Sequence, residues 1–277
     1  VPATTVALAL PYVNWVVLVA LAVGSFAFAA IAGATTEATR GYLRFTAICS
    51  GILAALALAS DYALPTPTSL AIATAPTDLD GLRRVTLGAF ALLSVVYAFT
   101  LGRPRRRLLF GSVALGTGAA ALIVAAAGWA PTLVDAVPFA VQLVTLSAVT
   151  GGSLAGIVLG HWYLVTPKLS ETALVQQTRL LLAAIAIQAL LYVVWATLGG
   201  GVDQGPWEAL SGPAALLVWL RGGITIVFPL VLTYMALRTA QTRSMESATG
   251  LLYINLAAVL AGTIGAAALY VSTGILI

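Results

Sequence analysis

The segment GHWYLVTPKL, residues 160 to 169, holds the one histidine of the chain, His161, next to Trp162 and Tyr163. A neutral imidazole can donate a hydrogen bond to a quinone carbonyl or pass a proton. Beside two amphipathic aromatic rings it can equally serve as an anchor at lipid headgroups, with Lys168 reaching outward along its apolar stem. The anchor is the expectation; the alternative gives His161, Trp162 and Tyr163 to a quinone or a lipid headgroup. One histidine cannot supply two axial ligands, so no haem b is expected. Cys49 is the only cysteine, which excludes an intrachain disulfide and a paired-cysteine metal site.

Two further charges lie inside apolar stretches, Asp61 in LALASDYALP and Arg221 in VWLRGGITIVFP. A charge in hydrocarbon costs several kcal/mol unless it is paired or reaches the interface. Asp61 and Arg221 fall at similar depth, which admits an ion pair between them or separate paths to the interface. Asn14, Gln142, Gln188 and Asn255 are the amides within apolar runs, and such side chains bridge helices more often than they bind substrates. There is no P-loop, no HExxH, no Gly-x-Ser-x-Gly elbow and no paired-carboxylate cluster. No catalytic or metal-ligating residue is assigned, and any activity would belong to an assembly.

The elements that must hold these groups follow from composition. Of 277 residues, 61% are hydrophobic and 8% charged, against about a quarter charged in a soluble domain. The mean hydropathy of +1.04 points the same way. A span needs about 20 apolar residues, and eight such runs are present: 12–34, 43–64, 85–101, 108–130, 137–165, 180–198, 213–237 and 250–277. The third is short and should begin nearer Arg83 and Arg84; the fifth is long and should tilt or bend, with Pro138 as the place. None alternates with period two, so the fold class is an all-α integral membrane protein of eight helices rather than a barrel.

Charge placement orients it. The connections after spans one, three, five and seven carry Arg40, Arg44, Arg103, Arg105, Arg106, Arg107, Lys168, Arg179, Arg238 and Arg243, ten of the 13 basic residues. The net charge of +4 therefore reads as positive-inside loops rather than a nucleic-acid surface, with these loops cytoplasmic, both termini outside and a bacterial-type inner membrane as the location. Trp15, Trp129, Trp195, Trp207 and Trp219 fall near the opposite face and Trp162 near the arginine loops, where interfacial indoles are expected. The N-terminal stretch lacks a basic n-region and does not read as an intact signal peptide. The long connections over 65–84 and 199–213 can lie on the membrane surface or dock a partner.

The halves, 1–130 and 131–277, look related. Small residues recur at Ser25, Ala29 and Gly33 and again at Gly152, Gly156 and Gly160, and Arg84 precedes Tyr97 by the same 13 residues that separate Arg221 from Tyr234. Four spans per half makes the repeats parallel, two four-helix bundles side by side. The small residues are expected to bring backbones close, with Gly152, Gly156 and Gly160 forming the tightest contact of span five. Such an arrangement looks broadly like the haem-free, quinol-handling membrane subunits of the NrfD type, a likeness of architecture alone. The expected function is that of a membrane subunit in a respiratory or photosynthetic electron-transfer complex, anchoring other subunits and holding a quinone; the alternative is a small-molecule or lipid transporter. Membrane lipids are the other expected partners.

With Cys49 replaced by Ala, single cysteines at positions 105 and 201 should label from opposite sides of the membrane, position 105 from the cytoplasm. Labelling of both from one side would refute the span count.

Overall fold

A computed structural model describes residues 3–65, 79–166, 169–202 and 204–277, with side chains from Leu8 onward. The readings placed on Pro167, Lys168 and most of the 65–84 connection lie outside the described residues. The chain forms α1 (Ala3–Thr35), α2 (Arg40–Asp61), α3 (Leu79–Thr100), α4 (Pro104–Trp129), α5 (Leu133–Val165) and α6 (Thr172–Leu198). It continues through two short helices, α7 (Glu208–Ser211) and α8 (Ala215–Leu220), then a π-helical segment (Arg221–Val227), α9 (Phe228–Gln241) and α10 (Met245–Thr273). Eight helical units are long and apolar enough to cross a membrane, α8, the π segment and α9 counting as one. The protein is an all-helical, multi-pass membrane protein.

Hydropathy finds the middle of each span; local chemistry sets its ends. The hydroxyl of Thr39 accepts from the amide of Tyr42 at the start of α2, and Thr132 does the same for Asp135 at the start of α5. Pro104 opens α4, where a missing N–H costs nothing. Gly199 and Gly274 end α6 and α10 with φ of 77° and 75°, which side-chain-bearing residues seldom adopt. α10 therefore stops at Thr273 instead of running to Ile277, and the segment beyond it turns back so that Gly274 accepts from the amide of Val202. α6 starts at Thr172, eight residues before its purely apolar stretch, and α3 starts at Leu79, ahead of the arginines as expected. α5 passes through Pro138 and its 33 residues span roughly 50 Å, more than the hydrocarbon thickness.

α1 and α5 occupy the centre. α1 packs on α2, α4, α5 and α10, while α5 packs on α1, α4, α6 and α10. The two cross where Gly24 lies on Ser147 and Gly151: a Cβ at Gly24 would strike the carbonyl of Ser147, and one at Gly151 would strike the backbone of Gly24 and Ser25. The closest backbone approach of α5 is thus at Gly151, one position before the expected stripe. Gly152, Gly156 and Gly160 instead receive side chains, of Phe28, Leu252 and Thr249 in turn. On α1, Ser25 hydrogen-bonds Ser50 at 2.9 Å, Ala29 is buried, and Gly33 faces Leu43 and Tyr97. Trp207 and Trp219 are exposed, but Trp15, Trp129 and Trp195 are buried in packing, because large aromatics fill gaps that an Ala- and Gly-rich interior leaves open.

Valine at Gly24 or Gly151 must push the central pair apart, at a cost of about 3 kcal/mol or more. Each variant should unfold at clearly lower temperature in mild detergent, whereas Gly116→Ala, where a Cβ meets open space, should not. Equal melting of all three would remove the crossing from its central role.

Candidate functional site

Two buried charge sites emerge, and they are built on opposite principles. In the first, Asp61 at the end of α2 is fully buried and accepts from Arg83 Nε at 2.6 Å, Arg83 Nη2 at 3.1 Å and Arg84 Nε at 2.7 Å. Arg83 also reaches Asp80 at 2.7 Å, lies 5.0 Å over the ring of Trp129, and is 1% exposed. Arg84 covers Tyr62 at 4.5 Å. Two carboxylates and two guanidiniums make the cluster neutral as a unit. Tyr12, in edge contact with Trp129, ties α1 to the same end by donating to the carbonyl of Pro65 at 2.6 Å. Both carboxylate oxygens of Asp61 are used, and the cluster is a clamp on α1–α4.

In the second, Arg221 is 4% exposed and no Asp or Glu carboxylate lies within ion-pair distance of it among the described residues. The Asp61–Arg221 ion pair is therefore not formed: Arg83 and Arg84 saturate Asp61, while Arg221 turns to main-chain oxygens. Its Nε donates to Ile277 at 2.9 Å and its Nη1 to Gly262 at 2.7 Å, and its Nη2 has no partner.

Local sequence explains how the chain brings these together. Pro229 has no N–H, and in an α-helix its ring would collide with the carbonyl four residues earlier. The turn before it widens into the π segment Arg221–Val227, closed by a five-residue bond from the amide of Phe228 to Gly223. π turns of this kind recur at functional sites. Thr225, within that segment, approaches α10 so closely that a Cβ at Gly262 would lie 2.7 Å from Thr225 Cβ and 3.0 Å from Arg221 Nη1. Gly222 makes room for Tyr192 of α6, whose hydroxyl donates to the carbonyl of Val218 at 2.9 Å.

Arg221 lines a cavity of about 500 Å³ between α1, the π segment and α10. Its other walls are largely apolar, including Leu10, Val13, Leu217, Ile224 and Leu269, and the hydroxyls of Thr225, Ser272 and Thr273 that join them donate back to their own helices. Leu10, Leu217 and Ile224 are more than half exposed, so the cavity opens onto the lipid-facing side of the bundle. The site thus offers one buried cationic donor inside an otherwise apolar, membrane-accessible pocket.

The residues singled out around His161 do not converge. His161 is exposed on the last turns of α5 and has no side-chain hydrogen bond among the described residues. Trp162 points to α2, where a Cβ at Gly41 would sit 2.5 Å from its ring and Phe45 lies 6.5 Å away. Tyr163 is buried and donates to the carbonyl of Ser170. Of the four amides, Gln142 donates to Ile277 at 3.0 Å, tying α5 to the segment after α10, and Asn255 bridges helices, donating to Ser153 at 2.9 Å and accepting from Thr233 at 3.1 Å. Gln188 is buried and Asn14 exposed. Sequence reading missed Gln177, which donates to Tyr42 at 2.6 Å and to the carbonyl of Phe28, and missed Gly262 and Thr225 beside Arg221. The Pro229 signal was available for the last two.

Comparisons with protein-family models, with curated proteins and with solved structures give no match to this chain.

Removing the carboxylate charge at Asp61 leaves buried cations uncompensated, so Asp61→Asn should destabilise by about 3–5 kcal/mol. Arg84→Gln, at a site about a third exposed, should cost much less. Thermal unfolding of the three proteins side by side measures this; equal loss from both substitutions would show that burial does not set the energetics of the clamp.

Proposed function

We propose that the protein is an integral membrane subunit of a larger respiratory or photosynthetic electron-transfer complex, anchoring its partner subunits and holding a quinone without haem. The observation that carries this reading is the unused N–H of Arg221 at the wall of an apolar cavity open to the bilayer. A quinone combines an apolar ring and tail with two carbonyl acceptors, the complement of such a pocket, and it arrives through the lipid. The guanidinium would hold one carbonyl by a charge-assisted hydrogen bond, and its fixed charge would favour a head group on which negative charge develops. His161, Trp162 and Tyr163 are left the part of an anchor among headgroups at the other face, which their three directions suit better than one ligand.

The rest of the assignment is of a piece. Charge distribution supports a bacterial-type inner membrane with the arginine loops cytoplasmic and the termini outside. A parallel duplication of 1–130 as 131–277 is supported by the contact pattern. α1 to α4 form a closed ring of neighbours, as do α5, α6, α9 and α10, and α1 touches α10 as α5 touches α4. Gly24 and Gly151, which meet at the central crossing, are 127 residues apart, the spacing that also relates Ser25 to Gly152, Ala29 to Gly156 and Gly33 to Gly160. A two-fold axis along the membrane normal makes equivalent residues meet each other in this way.

A second reading, a small-molecule or lipid transporter, is favoured by one observation: span seven departs from α geometry at its buried charge. Against ion coupling, no acidic side chain other than Asp61 is buried among the described residues, and Asp61 is fully paired.

Purification in mild detergent, with mass spectrometry of co-purifying subunits and of extracted quinone, tests the proposal. Quinone should be present and should fall about tenfold or more in Arg221→Leu, the loss of one hydrogen bond from a charged donor. Gly265→Leu provides the second variant: it lines the cavity and a Cβ there meets nothing within 4 Å, so it fills the pocket while leaving Arg221 in place. A folded Gly265→Leu protein with undiminished quinone would sink the site.

A further inference from the structure

At the other end of the bundle, the face that carries the arginine loops, a small cavity of about 140 Å³ lies between α1, α3 and α4. Its walls include Ala34, Tyr97, Arg107, Gly111 and Ser112. Tyr97 is 1% exposed, and its hydroxyl has no hydrogen-bond partner. Arg107 Nε, on the same wall, is likewise buried and unpartnered. The ring of Tyr97 is seated by two glycines. A Cβ at Gly33 would lie 2.9 Å from its oxygen and one at Gly111 3.2 Å from its edge, so the hydroxyl has little freedom to turn elsewhere. Tyr97 and Arg107 both line this pocket, and a buried donor without an acceptor is costly to leave unsatisfied.

Position defines what could satisfy them. Tyr97 is three residues from the end of α3, and Arg107 is in the first turn of α4, just after Arg103, Arg105 and Arg106. This is headgroup depth, next to exposed apolar side chains such as Leu108 and Leu109 along which an acyl chain can run. The start of α4 adds the positive end of its helix dipole. The space is several times the roughly 30 Å³ of one water.

The geometry points to a binding site for a phosphate group, supplied by an anionic phospholipid of the leaflet on the arginine-loop side. One phosphate oxygen accepts from Arg107 Nε and another from the Tyr97 hydroxyl, while Arg105 and Arg106 remain solvent-facing and supply long-range attraction. A zwitterionic lipid brings a second, positive charge into this cationic rim and is disfavoured. The site is separate from the Arg221 cavity and does not depend on what that cavity holds.

The full-length protein, delipidated in mild detergent, is titrated with phosphatidylglycerol, phosphatidylcholine or inorganic phosphate, and bound lipid is counted by native mass spectrometry alongside the unfolding midpoint. Phosphatidylglycerol should bind at least tenfold more tightly than phosphatidylcholine and raise the midpoint. Tyr97→Phe keeps the seated ring and deletes a hydroxyl that has no protein partner, so it should fold normally yet bind phosphatidylglycerol about five- to tenfold more weakly, the order expected for one lost hydrogen bond. Arg107→Gln should weaken it further, and the exposed Arg105→Gln much less. Binding unchanged in Tyr97→Phe, or an equal loss in Arg105→Gln and Arg107→Gln, would overturn the site in favour of diffuse attraction to the arginine loop. An equal stabilisation by inorganic phosphate at matched concentration would overturn the lipid as its source.

Discussion

The rest of the structure depends on two helices meeting backbone to backbone. At the crossing of α1 and α5, Gly24 and Gly151 leave no side chain between the chains, and the carbonyl of Ser147 occupies the space where a Cβ would be. In lipid there is no hydrophobic drive to push helices together, so close van der Waals contact at small residues is what holds such a pair. Once α1 and α5 touch, the other six spans have only the outer faces of this pair and each other to pack on. The polar groups brought inside then need partners within the protein. Ser25 finds Ser50, Thr150 finds Thr263 at 2.5 Å, and Asn255 joins Ser153 to Thr233. These bonds fix register along the helices more than they add stability, since interhelical pairs in membranes average well under about 1 kcal/mol.

The same constraint makes the contrast between the two buried arginine sites informative. Arg83 and Arg84 meet Asp61 and Asp80 with short, well-aligned contacts, and their aromatic neighbours complete the shell. Asp61, the buried acceptor of that cluster, has no oxygen left unpaired. Arg221 is equally buried but faces no Asp or Glu among the described residues, and donates to the main-chain oxygens of Gly262 and Ile277. A main-chain carbonyl such as that of Gly262 lowers the energy of a cation without cancelling its charge. A site of this kind retains affinity for an oxygen acceptor; a neutral clamp does not.

Much of this was legible in the sequence, and the limits are physical. The eight spans and the helical class follow from apolar runs long enough to cross hydrocarbon, and Asp61 and Arg221 stand out because charge there is costly. What composition could not give was pairing. Depth alone sets Asp61 level with Arg221, but Arg83 and Arg84 lie one connection away from Asp61 and reach it first. The small-residue stripe expected on span five lies one residue away from the backbone contact, because Gly151 is only about 100° round the helix from Gly152. His161 drew attention as the lone residue of its type, yet rarity says nothing about direction, and its side chain faces outward.

The π segment ties these points together. Pro229 forces the widening, the widening carries Thr225 and Arg221 toward α10, and Gly262 is the one residue type that admits them at that distance. Each feature alone has an ordinary explanation: prolines interrupt membrane helices, glycines permit contact, arginines find carbonyls. Together they hold a buried guanidinium beside the cavity with its Nη2 unpartnered, whereas Arg83 meets two carboxylates. A fold selected for stability alone would favour an apolar residue at position 221, because replacing a buried charge by a well-packed apolar group is often neutral or stabilising. The binding role proposed for Arg221 accounts for the cost of keeping arginine there.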